Sequence, residues 1–200
     1  MNDTLFGTYD IVHGYNWDKD DSTARIPFTS NYAEGKPNYV FHTDLTEVDY
    51  TPLYIEFHSP SEHTFDELHS ALEMQLVSQN SSSGAISILS VLFDIDAESQ
   101  FMTEYQKIDE NDGNTYVLLG DLFADFNSSL SEFGFFMYEG SITHPPCTEG
   151  VNWTVLKEIF TLSEDQLEWF TEKIASNDLT YSGNNRAMQS IGSRVIRTNA

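Results

Sequence analysis

The run from Tyr54 to Val77, YIEFHSPSEHTFDELHSALEMQLV, carries the side chains with the most chemistry in this chain. Glu56 and His58 stand two residues apart in an apolar, aromatic stretch, so on a strand both point to one face. Glu73, Gln75 and Val77 repeat that spacing. Between the two halves, SPSEHTFDE has the Ser, Pro and Asp of a turn, which predicts antiparallel neighbours whose inward faces gather Glu56, His58, Glu73 and Gln75. Carboxylate, imidazole and amide groups presented at fixed spacing from paired strands can ligate a metal ion. The same groups can close a buried hydrogen-bonded network, with Glu56 accepting from His58 and from the amide of Gln75. Residue types alone leave both readings open.

The elements that must position these residues are mostly strands. Met1 to Lys19 reads as irregular and aromatic, and Ala24 to Phe28 is the first strand candidate. NYAEGKPNYV predicts a turn and a strand through Phe41, followed by a polar loop to Tyr50. After the turn at Ser78 to Gly84, AISILSVLFDI is nearly continuous in apolar residues, the pattern of a strand buried on both faces. Glu98 to Ile108 has helical spacing, with Phe101, Met102, Tyr105 and Ile108 on one side. LLGDLFADF follows a polar turn, FGFFMYEG is a strand, and SITHPPCTEG is a loop because its prolines remove donors and disfavour helix before them. VNWTVLKEIF is a further strand, Ser163 caps a helix over EDQLEWFTEKI, and NNRAMQSIGSRVIR ends the chain as a loop and a last strand. Residues 1–200 thus read as one mainly β domain without internal repeat.

Composition narrows the function classes. With 32 Asp plus Glu against 9 Lys plus Arg, the formal charge is -23, which repels nucleic acid and anionic membrane and favours cations or basic partners. No apolar run is long enough to span a bilayer, and MNDTLFGTYDIV lacks the basic start and apolar core of a secretory signal. Sequons begin at Asn2, Asn80, Asn127 and Asn152; Asn80 and Asn127 sit in Ser-rich loop candidates, whereas Asn152 lies in an apolar run. Cys147 is the only cysteine, so no disulfide forms within the sequence.

Four segments, FHSPSEHT, ALEMQLV, YEGSITHPPCTEGVNWTVLKE and NNRAMQ, resemble in order and spacing the signature segments of the α-type carbonic anhydrases. The resemblance runs from roughly Phe28 to the C-terminus. It implies a large, mostly antiparallel twisted sheet with a few short peripheral helices, and a conical cleft reaching a zinc held by three histidines. The positions of those histidines carry Glu56, His58 and Gln75, so only His58 is retained. By the same resemblance Glu62 and Thr143 stand at the gatekeeping pair, in which the threonine donates to the glutamate. Glu73 stands at the carboxylate that orients the third ligand, and Val77 at a wall of the carbon dioxide pocket. His144 is a cleft residue, and the family's proton-shuttling histidine falls near Ser22. The family's N-terminal segment has no counterpart, and in secreted members the PPCTEG cysteine pairs with a cysteine of that segment. Cys147 then reads as half of that disulfide, either because the sequence is a fragment or because the segment is lost and the thiol is free, and this cysteine with the sequons points to an extracellular or lumenal site.

Three neutral imidazoles leave a zinc ion's charge undiminished, which lowers the pKa of its bound water to about 7. A carboxylate at Glu56 cancels part of that charge, and the amide oxygen of Gln75 is a poor zinc donor. The leading expectation is therefore a carbonic-anhydrase-related protein with no cofactor, working as a binding or structural module toward a protein partner. The alternatives are an active or weakly active hydratase with zinc in an altered site, and an acidic protein associating with calcium or a matrix.

Overall fold

The computed structural model describes residues 11–13, 24–30, 39–43, 46–110, 133–175 and 183–198. Among them a single large mixed sheet dominates. Its strands are β1 (Ile11–His13), β2 (Ala24–Ser30), β3 (Tyr39–Thr43), β4 (Thr46–His58), β7 (Leu72–Gln79), β8 (Ile86–Ile95), β9 (Phe135–Ser141), β10 (Glu149–Leu162) and β11 (Arg197–Thr198). The spatial order is β1-β2-β4-β7-β8-β10-β9-β11, with β3 branching from β4. All neighbours are antiparallel except β8 and β10, which run parallel. β5 (Thr64–Phe65) and β6 (Leu68–His69) form a separate two-residue ladder inside the 59–71 turn.

Alternation along the central strands separates two kinds of interior. Ile55 and Phe57 of β4, Leu72, Met74 and Leu76 of β7, and Leu89, Val91 and Phe93 of β8 all belong to one core cluster. The intervening residues, Glu56, His58, Glu73, Gln75 and Ser90, are buried on the opposite face. Helices α1 (Gln100–Glu110) and α2 (Glu164–Ala175) supply Phe101, Met102, Tyr105 and Phe170 to the apolar side. There Phe57 meets Tyr105 edge-on at 5.0 Å and Phe170 at 4.5 Å, packing whose loss in a Phe-to-Ala change typically costs about 3–5 kcal/mol. α2 begins with a reciprocal cap, Gln166 N–H donating to Ser163 Oγ at 3.2 Å and Ser163 N–H to Gln166 Oε1 at 3.0 Å. Gln166 Nε2 also donates to the Ser99 carbonyl at 2.8 Å, which ties the start of α2 to the start of α1.

Two sequence expectations change. The stretch before Tyr50 is strand and not loop, because Thr46, Val48 and Tyr50 continue β4 and pair with Thr43, Phe41 and Tyr39 of β3. The charged Glu47 and Asp49 that suggested a loop are the alternate positions of that hairpin. Ile11–His13 is also strand, paired with β2, within a stretch read as irregular. LLGDLFADF and Ser22 lie outside the described residues.

Candidate functional site

β4 and β7 pair so that Glu56 lies opposite Gln75 and His58 opposite Glu73. All four residues are buried, and Gln75 and Glu73 have no solvent exposure at all. The hub of this face is Glu73. Its Oε2 accepts the backbone N–H groups of Glu62 and His63, each at 2.8 Å. Its Oε1 accepts from Ser90 Oγ at 2.8 Å and Gln75 Nε2 at 2.9 Å, and pairs with His63 Nδ1 at 2.7 Å. Burial alone would push this carboxyl up, but the charge and hydrogen bonds of His63 outweigh it and hold the pKa down at about 2. Burial likewise opposes charge on His63, yet the field and hydrogen bond of Glu73 raise its pKa above the usual 6.5. His63 Nε2 meets Tyr138 Oη at 2.7 Å, and the ring stands edge-on to Trp153 at 4.9 Å. Burial, reinforced by the negative charge of Glu73, raises the Tyr138 hydroxyl pKa.

Gln75 Nε2 spends its two protons on Glu73 and on Glu62 Oε2, the latter at 2.9 Å, and not on Glu56. The network foreseen for Gln75 and Glu56 therefore gives way to one centred on Glu73 and Glu62. His58 is fixed from its other side: Nδ1 lies 3.2 Å from the Asn184 carbonyl and 3.5 Å from Glu62 Oε1. With Nδ1–H donating to that carbonyl, Nε2 is left with its lone pair. His58 Nε2 and Gln75 Oε1 are both buried with no hydrogen-bond partner among the described residues. Asn184 is locked in turn, its Nδ2 donating to the Phe57 carbonyl at 2.8 Å and its Oδ1 accepting from Ser59 N–H at 2.9 Å. Gly183 permits this approach: at φ +108 a Cβ there would sit 2.4 Å from the Ser59 carbonyl oxygen.

The other expected residues are placed as follows. Glu62 Oε1 accepts from the Arg186 backbone N–H at 2.9 Å, so both its oxygens are used. Thr143 Oγ1 is buried without a hydrogen-bond partner among the described residues, and the donation to Glu62 foreseen for the gatekeeping pair is absent. Both residues nonetheless line one cavity. Val77 is buried with Ile88, Val151 and Trp153 in a second, smaller apolar cluster. His144 is partly exposed and its Nδ1 lies 3.1 Å from the Pro145 carbonyl oxygen. Sequence reasoning did not find His63, Tyr138, Ser90 or Asn184 as partners. The Glu62-His63 dipeptide was the available signal, since a histidine beside a gate residue on a turn has few ways to be satisfied except by a carboxylate across it.

Cys147 follows the proline pair with φ 57 and is half-buried, with no disulfide. We expect a thiol reagent to label it in the native protein within minutes, since cysteine reactivity follows exposure and thiolate access. Labelling that waits for denaturant would show the sulfur to be inaccessible.

Comparison with known proteins agrees with this architecture. The family model for eukaryotic-type carbonic anhydrase matches residues 12–200. A carbonic anhydrase of Klebsiella pneumoniae is 33% identical over 158 residues, covering 76% of this chain and 61% of the relative. Dioscorin DB3S of Dioscorea polystachya is 31% identical over 160 residues, covering 76% of this chain and 56% of the relative. The chain thus spans less than two thirds of the length of these curated relatives. Among solved structures, the carbonic anhydrase Cah3 of Chlamydomonas reinhardtii in complex with acetazolamide superposes with a TM-score of 0.70 at 22% identity, over 98% of this chain and 79% of that one. With a family model spanning nearly the whole sequence and a sheet that superposes on solved members, the chain belongs to the eukaryotic-type, α-type carbonic anhydrase family.

Proposed function

We propose that this chain is a carbonic-anhydrase-related protein that does not hydrate carbon dioxide through zinc and serves as a binding or structural module. The observation that carries the reading is the state of Gln75: its amide nitrogen is held by Glu62 and Glu73, each at 2.9 Å, where the family has a metal-binding imidazole. The zinc that the family implies needs three neutral nitrogen donors, and the residues here offer one imidazole, one amide oxygen and one carboxylate. They do not fit a hydratase zinc. The unpartnered His58 Nε2 and Gln75 Oε1 are costly, at about 1–3 kcal/mol each, unless something meets them. A buried water bridging the two would satisfy both.

The same two atoms favour a second reading, an altered metal site, because His58 already has the tautomer in which Nε2 can ligate and Nδ1–H is oriented by a carbonyl. Metal analysis separates the two. After dialysis against micromolar zinc and removal of excess ion, we expect below about 0.1 zinc per chain and a melting temperature unchanged by zinc or a sulfonamide. One zinc per chain with an upward melting shift would establish the altered-site reading instead.

A further inference from the structure

A cavity of about 330 Å³ is lined by Glu62 and Thr143 but not by Glu56, His58 or Gln75. Its walls are mostly apolar, including Phe65 and Phe136, Val155 from β10, and Met188, Ile191 and Ile196 from the C-terminal segment. Met188, Ile191 and Ile196 keep 55%, 58% and 46% of their surface exposed, so apolar area is offered to whatever enters. Arg186 and Arg194 also line it.

We propose that this cavity binds a small organic anion, a carboxylate carrying an apolar tail. The chain has only 9 lysines and arginines among 32 acids, and two of them are in this one wall. Each has many acids to choose from, yet neither guanidinium forms an ion pair among the described residues. Arg186 Nη1 reaches only Ser141 Oγ at 3.4 Å, and Arg194 Nη1 only the Ser190 carbonyl at 3.4 Å. Most of the five N–H donors on each guanidinium remain for a ligand. The acid in the wall, Glu62, does not compete for them, because its two oxygens accept from Gln75 Nε2 and from the Arg186 backbone. Tyr138 Oη is likewise engaged by His63.

Thr143 lines the cavity and its buried Oγ1 has no hydrogen-bond partner among the described residues, so a hydroxyl donor remains unused in that wall. An alkyl chain against the phenylalanines and aliphatic side chains, with its carboxylate held by paired N–H groups, meets each wall with its own chemistry. An aliphatic alcohol of equal length would bury the same tail without that charge pairing. The arginines therefore predict which of the two binds.

The test is calorimetric titration of the full chain with octanoate and, as control, 1-octanol. We expect saturable one-to-one binding of octanoate, at least tenfold tighter than octanol. Arg194→Gln, at an exposed position, should weaken octanoate at least tenfold and leave octanol within twofold, with the melting curve unchanged. Ile191→Glu, also exposed, should remove octanoate binding by placing a like charge in the wall. Equal affinity for acid and alcohol, octanoate binding that survives both substitutions, or no saturable binding would each overturn the proposal.

Discussion

Replacing Glu73 with alanine should cost on the order of 3–5 kcal/mol, the range seen when one member of a buried ion pair is removed. Glu73 is fully buried and five groups converge on its two oxygens: two backbone N–H groups, Gln75, Ser90 and the His63 ring. Its loss strands a buried histidine and leaves the turn at Glu62 and His63 without acceptors. Glu73→Gln keeps the shape but places an amide N–H₂ where donors already point, so it should also destabilise, by a smaller amount. Equilibrium denaturation measures both. A loss below about 1 kcal/mol in the alanine variant would show that water or a neighbour substitutes for the carboxylate.

The same pair sets a pH signature. The Glu73 pKa falls from 4.5 to about 2 on folding, so its contribution is present above pH 4.5 and is lost as pH falls towards 2. At 1.36 kcal/mol per unit the term is on the order of 3 kcal/mol. His63 has the opposite sign: its raised pKa contributes fully below 6.5 and the contribution is lost as pH rises through the folded value. The pair should therefore add most between about pH 4.5 and 6.5, and stability relative to Glu73→Gln should fall on both sides. Comparing the two proteins at each pH cancels most of the repulsion of a chain carrying a formal -23, since the variant differs by one charge. Parallel profiles would mean that Glu73 and His63 are not coupled.

How much of this was legible beforehand follows from the range of each interaction. Strand periodicity placed Glu56, His58, Glu73 and Gln75 on one buried face, because alternation is a local property and pairing through one turn preserves it. The parallel partnership of β8 and β10 is not local: the apolar run of β8 marks a strand buried on both faces but does not say which strand lies beside it. The site's hydrogen bonds were least legible for the same reason. Asn184 reaches His58 and Ser59 across more than a hundred residues, and Arg186 reaches Glu62 likewise. The family resemblance located these residues, but their present partners depend on which side chain stands at 75, and an amide donates twice where an imidazole donates once. Here the amide nitrogen of Gln75 donates to both Glu62 and Glu73, each at 2.9 Å.

Restoring the imidazoles should leave Glu73 its donor at position 75 and release Glu62 from it, because a neutral imidazole has one N–H where the amide has two. In the Glu56→His, Gln75→His double variant, position 56 lies directly opposite position 75, with His58 two residues along on the same face, so three rings converge from β4 and β7. The ring at 75 would find Glu73 Oε1 as the acceptor for its Nε2–H, since that oxygen already lies 2.9 Å from the amide nitrogen being replaced, and its Nδ1 would keep the lone pair for the metal. His58 keeps its Asn184 carbonyl on Nδ1 and presents Nε2. We expect one zinc per chain after dialysis against micromolar zinc, where the parent retains almost none. Binding to the folded state alone at a hundredfold excess over Kd adds about 2.7 kcal/mol, which for a chain of this size is a rise of roughly 5–10 °C in melting temperature. Each single variant should bind more weakly than the double, because two imidazoles and one oxygen donor make a poorer site. A double variant that melts cooperatively, at a temperature near the parent's, yet takes up no zinc would show that the β4–β7 scaffold has moved away from metal-binding geometry, and that the ligand changes are only part of this chain's departure from its catalytic relatives.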